Sequence, residues 1–391
     1  MARNTLFSPL TVRGLTLKNR TVVAPMCQYS AVDGRMNDWH HVHLSQFAMG
    51  GFGLVITEAT AVEARGRITW GDVGIWSDDH VGPMLPVIAA VRERGAAIGI
   101  QLAHAGRKAS ISRPWEGDRP LSPREIEKGE TPWATVAASA VPFDEGWIVP
   151  HELSVSEIGQ MVDAWAAAAR RAVQAGYDLI EIHSAHGYLS HSFLSPLSNR
   201  RTDAYGGDRS GRMRFTLEVV EAVRGAIPDD MPLFLRISCI DGKQDGWSIA
   251  DSIDLAGRAR ALGVDVVDCS SGGIAGYGQN TLPRPTPGYQ VGHAADIRRE
   301  VGIATQAVGL ITGAAQAESI LRAGAADLVA LAREALNNPY WPRHAASELG
   351  EPDAFGDWPV QYGHWLGMRA RGMFGGRAGD ADTENAKKSA M

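Results

Sequence analysis

"TVVAPMCQYSAVDG", residues 21–34, decides between two ways of building an α/β protein. Its first half is a short apolar, β-branched run, the composition of a strand buried on both faces. In an open, doubly wound sheet, an early strand is followed by G-x-G-x-x-G, since only glycine lets the backbone close on a pyrophosphate. Here the chain continues Cys27-Gln28-Tyr29-Ser30 and has no glycine before Gly34. The alternative is a closed barrel, in which chemistry is carried by side chains at strand ends.

The rest of the chain supports closure. Seven further strand-like runs follow, at 53–62, 96–106, 178–186, 232–239, 265–273, 303–311 and 326–332. Helical patterns separate them, among them "SEIGQMVDAWAAAARRAVQAG" (156–176), stopped by Gly176, and "IADSIDLAGRARALG" (249–263). Eight buried strands alternating with helices predict a (β/α)8 TIM barrel over residues 1–349. A Pro- and Trp-bearing insertion, 105–154, follows the third strand, and loops of that size serve as lids or binding elements. Residues 350–373 form an aromatic tail expected to dock, and the polar end, 374–391, is expected to be disordered.

Composition narrows the function. The 391 residues are 45% hydrophobic and 21% charged, with a net charge of -6 that no acidic block concentrates. Nucleic acid and anionic membrane therefore have no electrostatic hold. Three scattered cysteines, Cys27, Cys239 and Cys269, make no disulfide framework. The opening "MARNTLFSPLTVRGL" lacks a signal-peptide core and no run approaches a membrane span, so the expectation is a soluble cytoplasmic protein.

At the carboxyl ends the first strand delivers Ala24, Pro25, Met26 and Cys27, with Tyr29 just beyond. The second carries Ala59, and the third Gln101, followed by His104 and Lys108. Arg236 lies in the fifth, Ser271 and Gly272 end the sixth, Gly309 lies in the seventh, and Arg333 closes the eighth. A Gln and an Arg inside apolar strands are costly unless a polar ligand meets them. Two arginines near the last strands invite an anion, the usual phosphate seat of this fold.

The fourth strand runs into "EIHSAHGYLSHSFLSPLSNRRTDAYGG" (181–207), which places His183, His186 and Tyr188 together. The residues alone allow a metal site, a hydrogen-bond cage for a substrate oxygen, or a polar loop. A metal lacks support, because no carboxylate stands at a matching strand end, and the "HVH" at His41 and His43 opens a helix. The expectation is no metal.

These motifs, with "APMCQYSA", "NDWHHVHL", "VITEATAVEARGR" and "QLAHAGRKA", closely resemble the Old Yellow Enzyme family of FMN-dependent ene-reductases. Cys27 points to the branch of xenobiotic reductases and thermophilic ene-reductases. The match runs from "LFSPLTVRGLTLKNR" to "QYGHWL". The resemblance implies FMN as cofactor, held at Ala24, Pro25, Met26, Cys27, Ala59, Gln101, Arg236, Ala332 and Arg333, with NADPH or NADH as reductant. Gln101 would meet the flavin's pyrimidine edge, Arg236 its N1/C2 carbonyl region and Arg333 the phosphate; Cys27 would tune the flavin without acting as a nucleophile. Tyr29, His183, His186 and Tyr188 match substrate contacts, and Trp365 is the candidate for a tail residue reaching a neighbouring subunit's site in a homodimer or homotetramer. Two departures stand out: Ala332 replaces the family's usual glycine, and "GGDRSGRMRF" replaces a "GGSxENRxRF" pattern.

The chemistry agrees. Hydride addition to an enone drives negative charge onto its carbonyl oxygen, which two imidazole donors stabilise as an oxyanion hole does. A phenol, Tyr188, can supply the proton to the α-carbon. The predicted activity is ping-pong reduction of activated C=C bonds. Nitro-group reduction or oxidative desaturation on the same barrel is the alternative, and a non-catalytic flavin redox sensor would not need the His–His–Tyr set.

Overall fold

The computed structural model describes residues 4–276, 285–352 and 355–374. Eight parallel strands close on themselves: β1 (Thr21–Val23), β2 (Leu54–Ala61), β3 (Ala97–Ala103), β4 (Leu179–Ser184), β5 (Leu233–Ser238), β6 (Val266–Ser270), β7 (Ala304–Ala307) and β8 (Leu328–Leu331). Neighbours in space are neighbours in sequence, and β8 returns to β1 with Val329 opposite Thr21. This is the (β/α)8 barrel expected from the strand count. The strands are shorter than the apolar runs at their carboxyl ends. Pro25 and the Gly272–Gly273 pair belong to the rim, where the backbone leaves the ladder.

The helices form where amphipathic spacing and caps coincide. In Val155–Ala175 the Ser154 hydroxyl accepts the Glu157 N–H, and Gly176 ends the helix at φ 91°. Its buried face, Ile158, Met161, Trp165, Ala168 and Ala172, follows the 3.6-residue period. Trp165 is wholly buried there, so its loss to alanine costs roughly 3–5 kcal/mol. Within "GGDRSG", Asp208 accepts the Gly211 N–H at 2.8 Å and starts the helix Arg209–Ala226.

The sequence reading missed a hairpin before β1, Leu10–Val12 paired with Leu15–Leu17. Leu17 joins Val22, Leu54, Leu179, Phe234, Val266 and Leu328 inside the barrel, so the hairpin closes the amino-terminal end. A bulge interrupts β2: Thr57 pairs with Ile100 and Ala59 with Gln101, leaving Glu58 as the extra residue. Its carboxylate accepts the Gln28 N–H at 2.8 Å and faces His40 Nε2 at 3.3 Å, which ties down the loop after β1.

Within 104–154 the chain forms one short parallel pair, Val136–Ala137 with His151–Glu152. In the tail, Trp358 stacks on Tyr340 at 5.4 Å, with Arg343 5.4 Å from the same ring. A helix the sequence reading did not foresee, Val360–Phe374, follows. The expected disorder of 374–391 falls, after Phe374, outside the described residues. Among those described, no helix is long and apolar enough to cross a membrane.

Candidate active site

The rim between β1 and β5 holds a cavity of about 180 Å³. Pro25, Cys27 and Tyr29 enter it after β1, Ala59 from β2 and Gln101 from β3. His183, His186, Tyr188 and Arg236 complete the lining. Of the other residues expected here, Ala24 faces the barrel interior and Met26 packs against the outer core.

The β4 turn is fixed through its backbone N–H groups. Every N–H from Ala185 to Leu189 is spoken for: Ala185 on His183 Nδ1, His186 on Ser238 Oγ, Gly187 on His191 Nδ1, Tyr188 on the Ala185 carbonyl, Leu189 on the His104 carbonyl. His191 is itself held by Asp241 at 2.9 Å, both fully buried. The fold demands a left-handed residue at His186, φ 59°, and glycine beside it. A Cβ on Gly187 would lie 2.1 Å from the Gly273 carbonyl oxygen, so these two backbones touch with no room for a side chain.

The result is three rings set edge to face: His183 to His186 at 5.2 Å and His183 to Tyr188 at 5.0 Å. Because His183 Nδ1 accepts a backbone N–H, its neutral ring carries the proton on Nε2 and is a donor there. His186 differs, since its Nε2 lies 2.7 Å from Ser270 Oγ. Burial first, and the Arg236 charge second, hold both imidazoles well below the usual histidine range, so both are neutral. Lys108 donates to the His186 carbonyl at 3.0 Å and stands 5.1 Å from the Tyr188 ring centre. Burial, followed by the charges of Glu58 and Asp72, pushes the Cys27 thiol up, which makes it a poor nucleophile.

A second cavity of about 450 Å³ opens over β6, β7 and β8 and shares His186 and Arg236 with the first. Ser271, Gly309 and Arg333 were legible as strand-end residues and Ala332 only through the resemblance, whereas Tyr289, Gln290 and Thr312 were not. Those three sit in loops, where periodicity marks nothing; Gln290 is placed by accepting from Ser271 Oγ at 2.9 Å. Ala332, in place of the usual glycine, leads into the helix Arg333–Asn337 with φ -110° and ψ -94°. Among the described residues, no carboxylate pairs with Arg333, and no group of three or more His, Cys, Asp or Glu could hold a metal. Trp365 lines neither cavity; it is 67% exposed on the last helix.

The two cavities share a buried guanidinium, whose Nε has no partner among the described residues, and an arginine that pairs with no carboxylate among those residues stands at the far end. An amide, Gln101, faces the narrow end. That donor set fits a planar, polar-edged ring carrying a phosphate, and FMN is such a group. The geometry defines a class: a barrel oxidoreductase built round a flavin nucleotide.

Comparison with known proteins agrees. The profile of the NADH:flavin oxidoreductase / NADH oxidase family matches residues 5–351, and the chain belongs to that family. It is an enzyme family whose members use FMN and a reduced nicotinamide, and those are this chain's cofactors. The chain is 50% identical over 347 residues to an NADPH dehydrogenase of Geobacillus sp. (strain WCH70), covering 88% of this chain and 94% of that one. It is 44% identical over 364 residues to an NADPH dehydrogenase of Bacillus subtilis (strain 168), covering 93% and 99%. Morphinone reductase superposes with a TM-score of 0.73 at 27% identity, over 90% of this chain and 91% of that one. A 2-naphthoyl-CoA reductase complex, at 23% identity and TM-score 0.77, shares the fold; 89% of this chain aligns and spans 53% of that one.

Proposed function

We propose that the chain is an NADPH-dependent ene-reductase that reduces the C=C bond of α,β-unsaturated carbonyl compounds in two alternating half-reactions. The single observation that carries this reading is the His183–His186–Tyr188 set: two neutral imidazoles beside a phenol over the narrow cavity. NADPH is chosen over NADH on the names of the bacterial relatives.

FMN, when bound, would supply the two-electron hydride chemistry between the nicotinamide and the alkene. Gln101 and Arg236 would hold its ring and Arg333 its phosphate; Ala24, Pro25, Met26, Cys27, Ala59 and Ala332 would flank it. His183 donates through Nε2–H to the substrate carbonyl oxygen, and His186 joins it by exchanging its Ser270 contact for that oxygen. Neutral donors suit this task, because the negative charge they meet appears only as the reaction proceeds. Tyr188 then gives its hydroxyl proton to the α-carbon, so the alkene gains one hydride and one proton. Tyr29 closes the other side of the cavity, against the exposed edge of Trp115 at 5.8 Å. Trp365 belongs to the same reading as a contribution to a neighbouring subunit's site in a homodimer or homotetramer. It shares an exposed helix face with Tyr362 and Met368.

The test is an anaerobic visible spectrum before NADPH, after it, and after added cyclohexenone. The flavin band should bleach and then return. A band that returns only with a nitro compound would replace ene-reduction with nitro reduction; one that returns with no acceptor would point to a redox sensor.

A further inference from the structure

One storey below the site, the barrel interior is not apolar. Gln101 stands opposite Glu181 in the β3–β4 register, and its Nε2 donates to Glu181 Oε1 at 2.7 Å. Arg236 stands opposite Asp268 in the β5–β6 register, with Nη1 3.2 Å from Oδ2, and Asp268 stands opposite Gln306. The Glu181 and Asp268 side chains meet each other, and neither is exposed. Two carboxyls and one guanidinium therefore share a closed interior. Of the other titratable groups, His183 lies two residues along β4, Cys269 adjoins Asp268 in β6, and His186 and Tyr289 also feel the Arg236 charge. β3 and β7 bring amides, and β1, β2 and β8 bring Val22, Ile56 and Ala330.

If both carboxyls were ionised, Glu181 Oε2 and both oxygens of Asp268 would face each other without a donor in good geometry. Buried acceptors left that way, with an uncompensated charge beside them, are among the costliest features a core can contain. One proton removes the difficulty, since it converts the carboxyl–carboxyl contact into a hydrogen bond and brings the cluster to neutrality.

We infer that Glu181 and Asp268 share a single proton, carried by Glu181 and donated to Asp268, and that the pair is a positioning device fixing the charge and aim of Gln101 and Arg236 beneath the cofactor. Burial and, next, the Asp268 charge push the Glu181 carboxyl well above the carboxylate range, while Arg236 opposes this. The pair has consequences above it. With Nε2–H committed downward, the Gln101 amide oxygen is left for a ring N–H. With Asp268 as its counter-charge, Arg236 meets the ring as a balanced cation. The inference rests on the FMN seat proposed for those two residues but not on any substrate.

The experiment uses the FMN-bound chain at neutral pH. An infrared difference spectrum, wild type minus Glu181→Gln, cancels the flavin bands and should leave a protonated-carboxyl carbonyl band that shifts in heavy water. The midpoint potential of bound FMN should stay at its wild-type value in Glu181→Gln, the isostere of a protonated acid. In Asp268→Asn it should rise, because an unbalanced Arg236 favours the reduced, more negative cofactor. Absence of the carboxyl band, or a potential in Glu181→Gln displaced as far as in Asp268→Asn, overturns the proposal. Should Asp268→Asn fail to fold, the band and the Glu181→Gln potential decide alone. Failure of cyclohexenone to reoxidise the flavin would touch the substrate assignment and leave this result standing.

Discussion

The cavity beneath β1 and β4 and the cavity over β7 and β8 share Arg236 and His186, yet different kinds of residue build them. The first takes most of its chemistry from one short turn, 183–188, whose N–H groups are all consumed by the protein, His186 reaching Ser238 on β5. The second is assembled from four separate loops and adds one cation of its own, Arg333, to the shared Arg236. A turn with its hydrogen bonds closed is rigid before any ligand arrives, and so suits a group that must aim a donor within fractions of an ångström. A phosphate tolerates several orientations of its oxygens, and a spread-out seat suffices.

Two substitutions should separate the halves. Tyr188→Phe keeps the ring and removes the proton donor, so alkene-driven reoxidation should slow by about 10²-fold or more. Bleaching by NADPH should be nearly unchanged, as stopped-flow measurement of each half-reaction would show; equal losses in both would remove Tyr188 from the proton-donor role. Arg333→Ala should do the reverse, weakening FMN by roughly 10- to 100-fold, the loss of charge-assisted hydrogen bonds. Riboflavin, which lacks the phosphate, should bind both forms alike in a fluorescence titration. An equal loss for riboflavin would move the phosphate away from Arg333.

The same contrast explains what the sequence could disclose. β4 and its turn were legible because a strand period runs straight into chemically distinctive residues, and the strand count alone specified the barrel. Tyr289 and Gln290 were silent, since their place depends on a loop crossing back over the β7 end, a long-range fact with no local spacing. Glu181 was hidden for another reason. Inside a buried strand a carboxyl looks like an anomaly until its partners Gln101 and Asp268, 80 and 87 positions away, are known to face it. Trp365 shows the limit of motif matching: its type and position were legible, but among the described aromatic rings it meets that of His364, its chain neighbour, at 5.0 Å.

A smaller effect tests the rigidity of the turn. Gly187→Ala places a methyl 2.1 Å from the Gly273 carbonyl at φ 77°, whereas Gly207→Ala meets nothing within 4 Å at φ 70°. Both pay the left-handed penalty, about 1–2 kcal/mol, and only the first adds a clash. Thermal unfolding should therefore show Gly187→Ala less stable by at least a further ~1 kcal/mol, the low end for overpacking. Equal losses would mean the turn yields, and rigidity could not be what distinguishes this half.

The smallest effect concerns pH. His183 is neutral in the folded chain well below its ordinary titration, while in the unfolded chain it takes a proton near pH 6.5. Below that value the unfolded state binds the extra proton, so stability falls as pH falls, by up to about 1.4 kcal/mol per pH unit for this one ring. Two carboxyls act in the opposite sense: burial raises Asp72 to about 7 and Glu181 to about 8, so both are protonated more readily folded than unfolded. The net slope of the wild type is thus a mixture. The difference between wild type and His183→Asn is not, because the carboxyl contributions cancel. Between pH 6.5 and 5, denaturant unfolding of His183→Asn should show a slope lower than the wild type's by up to about 1.4 kcal/mol per unit. An unchanged slope would mean that His183 is charged in the folded state, and a cationic ring held there would stabilise an oxyanion by charge instead of by a neutral N–H.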